Sequence, residues 1–418
     1  MSNWQETEFG NIPSNWQIKT VGELVDENVL AKPLDGNHGE IHPKGTDFLP
    51  TGVPFVMATD VINGRVDLVN CKFISLEQAN SLRKGFALTG DVLLTHKASL
   101  GRTAIIGQIE TPYIMLTPQV TYYRVKDYGK LNNIFLKHFF NSPVFQDTLV
   151  NHGDSGSTRA YVGITAQREL PIILPKIEEQ KAIASVLSSL DDKIDLLHRQ
   201  NTTLERMAET LFRQWFVEEA QEDWEEKPLS RIANFLNGLA CQKFPPTDAL
   251  NKLPVLKIKE LGSGVSENSD WATSAVKPEF IVENGDVIFA WSASLMVKVW
   301  DGEKCVLNQH LFKVTSQKLP KWFYLYWCKH HLDEFISISS SHATTMGHIK
   351  RGDLHIAMVK VPTSPELEEM SKVMSPLLEK QISNSKQLKQ LEKLRDTLLP
   401  KLMSGEVRVA LPSKEQAA

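Results

Sequence analysis

The chain has 418 residues and a mass of 47.1 kDa, enough for two or three domains. Hydrophobic residues make up 42% and charged residues 23%, and no apolar run approaches the ~18 residues of a membrane helix, so disordered and membrane-spanning classes are set aside. The net charge of −4 argues against a uniformly basic nucleic-acid binder, and four scattered cysteines (Cys71, Cys241, Cys305, Cys328) argue against a zinc finger or a disulfide framework.

Dispersed cysteines fit a reducing cytoplasm, and the polar stretch Met1–Gly10 has no signal-peptide core. The acidic surplus is local: residues 176–223 carry 6 basic and 11 acidic side chains. A basic binding face elsewhere on the molecule is compatible with that distribution.

Along the first 175 residues, short β-prone runs such as Val92-Leu93-Leu94, Val120-Thr121-Tyr122-Tyr123 and Ile172-Ile173-Leu174 alternate with Gly, Pro and Asn turns. A long helix is predicted after Pro175, with Glu178 and Glu179 in its first turn, where they suit the helix dipole. Its stripe runs Ile183, Leu187, Leu190, Ile194, Leu197, Asn201, Leu204, Ala208, Leu211, Trp215, in alternating steps of four and three. Residues 221–362 return to short β-prone runs. A second long helix is predicted from about Pro365, along Leu367, Met370, Met374, Leu377, Gln381, Asn384, Leu388, Leu391, Arg395, Leu398 and Leu402. A seam this narrow suits another helix better than a broad sheet face.

The two halves repeat one another. Gly90-Asp91-Val92-Leu93 returns as Gly285-Asp286-Val287-Ile288, and Ala98-Ser99-Leu100 returns as Ala293-Ser294-Leu295, both 195 residues on. Pro54-Phe55-Val56 answers to Pro254-Val255-Leu256, and Leu204-Glu205-Arg206-Met207 to Leu391-Glu392-Lys393-Leu394. A collinear series at nearly constant offset marks two tandem copies.

One helix per copy suggests that the two pack antiparallel on each other. With Ile183 opposite Leu402, the numbers of facing residues add to 585. Leu187 then faces Leu398, Ile194 faces Leu391, Leu197 faces Leu388, Leu211 faces Met374 and Trp215 faces Met370. Asn201 falls opposite Asn384, where two amides can satisfy each other and penalise any slipped register. Leu190 opposite Arg395 and Leu204 opposite Gln381 fit less well, and require that the polar side chains reach solvent along their stems or that the register shifts locally.

The search for catalytic motifs comes out empty. Gly85-Phe86-Ala87-Leu88-Thr89-Gly90 has phosphate-loop glycine spacing, but Asp91-Val92 stands where Lys-Ser/Thr is required. Phe244-Pro245-Pro246-Thr247 lacks the amide or acid and the stacking aromatic of an amino-methyltransferase site. Glu225-Glu226-Lys227 has no upstream Pro-Asp to complete a nuclease site, and HExxH and GxSxG are absent.

Polar loops at strand ends are the remaining candidates. Gly153-Asp154-Ser155-Gly156-Ser157-Thr158-Arg159 in the first copy corresponds to the stretch from Ser339 to Arg351 in the second. Small hydroxyl residues, glycines and a terminal cation suit close approach to phosphates and base edges. The DNA-contact candidates are Ser157, Thr158 and Arg159, with His342, Thr344, Thr345, His348, Lys350 and Arg351 in the second copy. Lys97, Ser99 and Arg102 follow the repeated Gly-Asp-Val element in the first copy, and Trp291, Ser292, Ser294 and Lys298 follow it in the second. Lys97, Arg102, Lys350 and Arg351 are expected mainly on phosphates.

The pattern resembles the DNA-specificity (S) subunits of type I restriction–modification systems over residues 15–410. The resemblance rests on Gly-Asp-Val with Ala-Ser-Leu in each half and on Leu170-Pro171-Ile172-Ile173-Leu174-Pro175-Lys176-Ile177-Glu178-Glu179-Gln180 leading into the first long helix. It also rests on Thr397-Leu398-Leu399-Pro400-Lys401-Leu402-Met403-Ser404-Gly405-Glu406 and on Leu307-Asn308-Gln309-His310, loosely matched by Leu116-Thr117-Pro118-Gln119. The Pro-x-x-x-Glu-Gln-x-x-Ile helix start departs from that pattern in the second copy, which reads Pro362-Thr363-Ser364-Pro365-Glu366-Leu367.

The resemblance implies an α+β chain of two tandem target-recognition domains, residues 1–175 and 221–362. They would be separated by spacer helices over 176–220 and 363–405, with a tail over 406–418. It implies a non-catalytic reader of a bipartite, asymmetric duplex target. Two adenine-N6 modification subunits would bring S-adenosylmethionine, and two translocase–nuclease subunits would bring ATP and Mg, with no cofactor or metal on this chain. Two other readings stand beside it: a duplicated scaffold that does not read DNA, and a single-chain methyltransferase–nuclease.

Overall fold

The computed structural model describes residues 4–97, 99–153, 161–341 and 347–410. Its residues form two compact units, Met1–Asp192 with Lys393–Ala418, and Lys193–Glu392. The division falls inside both long helices, because each helix end is built into a domain core. Among the described residues no helix is long and apolar enough to cross a membrane.

In the first unit an antiparallel sheet runs in the order Thr103–Ile105, Val92–Thr95, Val120–Tyr123, Leu34–Asp35. A mixed sheet runs Lys72–Ile74, Val53–Val56, Ile114–Leu116, Phe86–Ala87, with its two central strands parallel. The second unit repeats both. Its antiparallel sheet is Met296–Val299, Val287–Ala290, Leu311–Thr315, Asn234–Asn237. Its mixed sheet is Trp271–Thr273, Lys252–Leu256, Cys305–Leu307, Ile281–Val282, again with a parallel central pair. A two-stranded ribbon closes each copy, Gln17–Thr20 with Pro171–Leu174 and Glu225–Pro228 with Met358–Val361. The repeat seen in short sequence matches is thus a repeat of strand order and direction.

Two local devices account for it. Gly90 and Gly285 turn the chain at φ of 88° and 91°, a region that favours glycine. The Gly90 carbonyl accepts from Asn133 Nδ2 at 2.8 Å and the Gly285 carbonyl from Lys321 Nζ at 2.7 Å, each the first residue of the following helix. A second device was not apparent in the repeat: Leu34-Asp35-Gly36 matches Leu236-Asn237-Gly238. A Cβ on Gly36 would lie 1.8 Å from the Leu116 carbonyl oxygen, and one on Gly238 would lie 2.3 Å from that of Asn308. Both glycines let one sheet cross closely over the other.

The first long helix runs Ile177–Arg213 and ends in a π turn over Gln214–Glu218, which corrects the expected helix over 176–220. The second runs Ser364–Ser404, and Glu366 caps its start by accepting from the Thr363 backbone N–H (2.9 Å) and hydroxyl (2.6 Å). In the first unit Ile183, Ala184, Leu187, Leu399, Leu402 and Met403 join the domain core. In the second, Ala208, Phe212, Phe216, Met374 and Leu378 do the same. At these ends the apolar face is wider than a strict seam, since it must cover a domain as well as the other helix. The expected stripe through Leu211, Trp215, Leu377 and Leu398 is accordingly only half-buried, and its neighbours Phe212, Phe216, Leu378 and Leu399 are buried.

Candidate nucleic-acid interface and helix seam

In each copy the residue after the Gly-Asp-Val strand meets a distant segment: in the second copy this lies within the predicted stretch 339–351, and in the first it lies just past the predicted stretch 153–159. Lys97 pairs with Tyr161 as an isolated antiparallel bridge in the first copy, and Ser292 pairs with His348 in the second. Lys97 stands 195 positions before Ser292, the offset of the Gly-Asp-Val repeat, so the bridges are equivalent. Each joins the residue just past the Gly-Asp-Val strand to the far side of the hydroxyl-rich loop. Sequence reasoning placed these loops separately and left out Tyr161, because an isolated bridge leaves no periodic signal.

Around the first bridge, Lys97 is exposed, with its Nζ 5.7 Å from the Tyr161 ring centroid. Beneath it His96 is fully buried in a hydrogen-bonded chain. Tyr123 Oη donates to Gln167 Oε1 at 2.7 Å, and Gln167 Nε2 lies 2.8 Å from His96 Nδ1 and donates to the Val162 carbonyl at 2.9 Å. His96 Nε2 lies 3.1 Å from the Pro118 carbonyl. A neutral ring protonated on Nε2 donates to the Pro118 carbonyl and accepts from Gln167 at Nδ1, which also lies 3.0 Å from the Val162 carbonyl. Burial holds the His96 pKa below the ordinary imidazole value, against the pull of the Val162 carbonyl and of Asp35, whose carboxylate is 4.0 Å away. Asp35 is itself buried and paired with His38 at 2.9 Å and with Lys84.

Around the second bridge, Trp291 takes the place of His96. Its Nε1 donates to Asn237 Oδ1 at 3.1 Å and its ring stacks on Phe312 with centroids 5.6 Å apart. Ser292 is buried, its Oγ 3.2 Å from Nδ1 of the exposed His310. Ala293 sits at a φ of 57°, held by its N–H on the Gly347 carbonyl at 2.8 Å. A non-glycine residue in that region is a constrained turn, and it throws Ser294 outward as an exposed residue.

The other candidates divide clearly. Ser99 lies in a tight turn in which its N–H donates to the Lys97 carbonyl at 2.9 Å and its own carbonyl accepts from the Thr95 hydroxyl. Arg102 is exposed, and its guanidinium reaches the Ala58 carbonyl at 3.4 Å. Lys350 and Arg351 are exposed at the start of the short helix Arg351–Ile356, where the Lys350 N–H is capped by Asp353 at 2.6 Å. Lys298 stands apart from the other candidates. It lies down the Met296–Val299 strand, 3.3 Å from Asp301 and 3.4 Å from the Leu261 carbonyl, and so away from the bridge. Ser157, Thr158, Arg159, His342, Thr344 and Thr345 lie outside the described residues.

The helix seam carries the Asn pair. Asn384 Nδ2 donates to Asn201 Oδ1 at 3.0 Å, and Asn201 Nδ2 donates to Ser385 Oγ at 3.1 Å. Ile194, Leu197, Leu388 and Leu391 form one small apolar cluster beside it. Trp215 and Met370 line a common shallow pocket, and Leu211 and Met374 share one core with them. Leu190 is half-buried while Arg395 extends to Asp191 (3.5 Å) and Asp396 (2.8 Å). Near Leu204 the expectation is met only in part: Gln381 is half-buried, and its Nε2 is buried without a hydrogen-bond partner among the described residues. The two amides also do not close on one another, since Asn384 Oδ1 is likewise buried and unpartnered.

Comparison with known proteins agrees with this architecture. The type I restriction modification DNA specificity domain matches residues 13–206 and again 221–393. The MjaIX specificity subunit of a type I restriction enzyme from Methanocaldococcus jannaschii is 26% identical, covering 98% of this chain and 97% of its own length. The MjaVIII specificity subunit from the same organism is 23% identical, covering 97% and 96%. The crystal structure of the S subunit of a type I restriction–modification system from M. genitalium covers 93% of this chain and 96% of its own, with a TM-score of 0.61 at 16% identity. The chain therefore belongs to the type I restriction–modification DNA-specificity family, as a non-catalytic specificity subunit.

Proposed function

We propose that this subunit reads a bipartite, asymmetric duplex target, one half through each copy. The observation that carries the reading is the pair of equivalent bridges, Lys97 with Tyr161 and Ser292 with His348, at the same place in two matching sheets. Each gathers polar side chains from two segments at the end of one strand, exposed at Lys97, Tyr161 and His348, an arrangement suited to base edges with phosphate contacts nearby. Arg102, Lys350 and Arg351 are exposed cations suited to phosphates.

In this reading the long helices space the copies and hold two modification subunits, which bring S-adenosylmethionine and methylate adenine. Two translocase–nuclease subunits bring ATP and Mg, and the complex works in the cytoplasm. Titrating the full chain with duplex DNA at several salt concentrations tests the first step, because phosphate contacts give a steep linear fall of log K with log salt. Methylome sequencing of the host with and without this gene tests the second. Salt-independent binding together with an unchanged methylome would favour a scaffold that does not read DNA.

A further inference from the structure

The two copies can be overlaid position by position, and at five positions the backbone agrees while the chemistry differs. Asp35 corresponds to Asn237, His96 to Trp291, Lys97 to Ser292, Gln119 to His310 and Tyr161 to His348. The backbone correspondence rests on the same hydrogen bonds. The His96 N–H donates to the Gln119 carbonyl at 2.9 Å, and the Trp291 N–H donates to the His310 carbonyl at 3.4 Å. The Val162 N–H donates to the His96 carbonyl at 3.1 Å, and the Ile349 N–H donates to the Trp291 carbonyl at 3.0 Å. Scaffold positions behave oppositely: Gly36 and Gly238, Gly90 and Gly285, Asp91 and Asp286, and Leu116 and Leu307 keep their residue types.

Resting on the reading that each copy takes one half-site, we infer that these five positions are its specificity-determining set. The backbone is held constant at the place where the side chains vary, which is what one scaffold needs to read two sequences. The set splits by exposure into contacting and positioning residues. In the first copy Lys97 and Tyr161 are exposed and Gln119 is half-buried, whereas Asp35 and His96 are buried beneath them. Lys97 and Gln119 offer an ammonium and an amide, the donors and acceptor that read purine edges in the major groove. In the second copy His310 and His348 are exposed, Trp291 and Asn237 are half-buried, and Ser292 lies under His310. This face is aromatic and imidazole-rich and carries no lysine, so it reads a different set of bases.

The test exchanges only contacting residues and the buried Ser292, in the full chain assembled with its modification subunits. One variant is K97S/Q119H/Y161H, the other S292K/H310Q/H348Y. The methylated motif is read by sequencing, and discrimination is measured by competition among duplexes altered in one half-site. The first variant is expected to alter one half of the motif only, with discrimination there falling roughly 5- to 100-fold, the range for loss of one good base contact. The second is expected to alter only the other half. A Leu250→Ser control, at the opposite end of the Lys252–Leu256 strand, should leave both halves intact.

If the wild-type assembly gives a clear motif and both folded triple variants keep it, this inference is overturned while the proposed function stands. The same holds if one variant changes both halves. If the wild-type assembly gives no motif and the wild-type chain no salt-dependent binding, the proposed function itself fails. Should a triple variant not fold, the single changes Gln119→Ala and His310→Ala decide, and an unchanged motif in both overturns the assignment.

Discussion

The two copies anchor the same turn with the same acid and different cations. In the first copy Asp91, its side chain 2% exposed, is gripped by Arg124 through Nε at 2.9 Å and Nη2 at 2.8 Å. In the second, Asp286 is 23% exposed and takes a single contact from Lys313 Nζ at 2.7 Å. Each cation also donates to the carbonyl of the adjoining strand, Arg124 to Phe86 at 2.8 Å and Lys313 to Ile281 at 2.8 Å. Yet they sit at different positions. Lys313 corresponds to Tyr122, and Arg124 reaches the acid from two residues further on, 4.7 Å over the Tyr122 ring. The fold requires a cation that spans acid and strand, and it accepts one from either position.

If the scaffold is what the copies share, breaking it should hurt both alike, and this is the largest effect expected. Gly36→Ala and Gly238→Ala each drive a methyl into a backbone carbonyl that cannot rotate away. Each should cost at least about 4 kcal/mol, beyond the reach of ordinary repacking. Thermal melting of the full chain checks this. A tolerated alanine at either position would mean that the close sheet crossing is not shared.

If the anchors differ in burial, removing the cations should separate the copies. Arg124→Met leaves a buried carboxylate uncompensated and should cost about 3–5 kcal/mol. Lys313→Met leaves one that water already reaches and should cost about 1–2 kcal/mol. Amide hydrogen exchange resolves the two copies within one chain. Equal losses would show that exposure does not set the strength of this pair.

These anchors also mark what the sequence could and could not disclose. Gly-Asp-Val is contiguous, so the repeat of the acid was legible; its cation lies more than 25 residues away at no constant offset, so the pair was not. The Lys97–Tyr161 and Ser292–His348 bridges join distant segments and leave no local period, which is why their meeting was not legible. The helix stripe was legible in its middle, where each helix has only the other to cover. It misplaced the burial near Phe212 and Leu399, because the domain cores and the π turn widen the face there. Lys298 was a candidate by its place after the repeated Gly-Asp-Val element, and its ion pair with Asp301 was not legible because it depends on the strand ending between them.

The smallest effect concerns the Asn pair, which the register arithmetic placed face to face but assumed to be symmetric. It is not symmetric. Asn201 is half-buried and its amide has Ser385 Oγ at 3.1 Å and the Gln381 carbonyl at 3.4 Å, besides accepting from Asn384. Asn384 is 1% exposed, and its Oδ1 has no partner. Asn201→Leu therefore takes away the 3.0 Å partner of a buried amide that keeps only Gln200 Oε1 at 3.4 Å, and should cost about 1 kcal/mol. Asn384→Leu removes a side chain that already buries an unsatisfied oxygen, while Asn201 retains its donors' partners, so it should be nearly neutral. The double variant leaves no buried amide at either position, and it should match or exceed the wild type in thermal stability. A double-mutant cycle on the melting transition measures the asymmetry directly. Equal losses for the two single variants, restored in the double, would make the pair a mutual lock. Unequal losses, with Asn201→Leu the larger, would make Asn201 the residue that holds the register and Asn384 the one that depends on it.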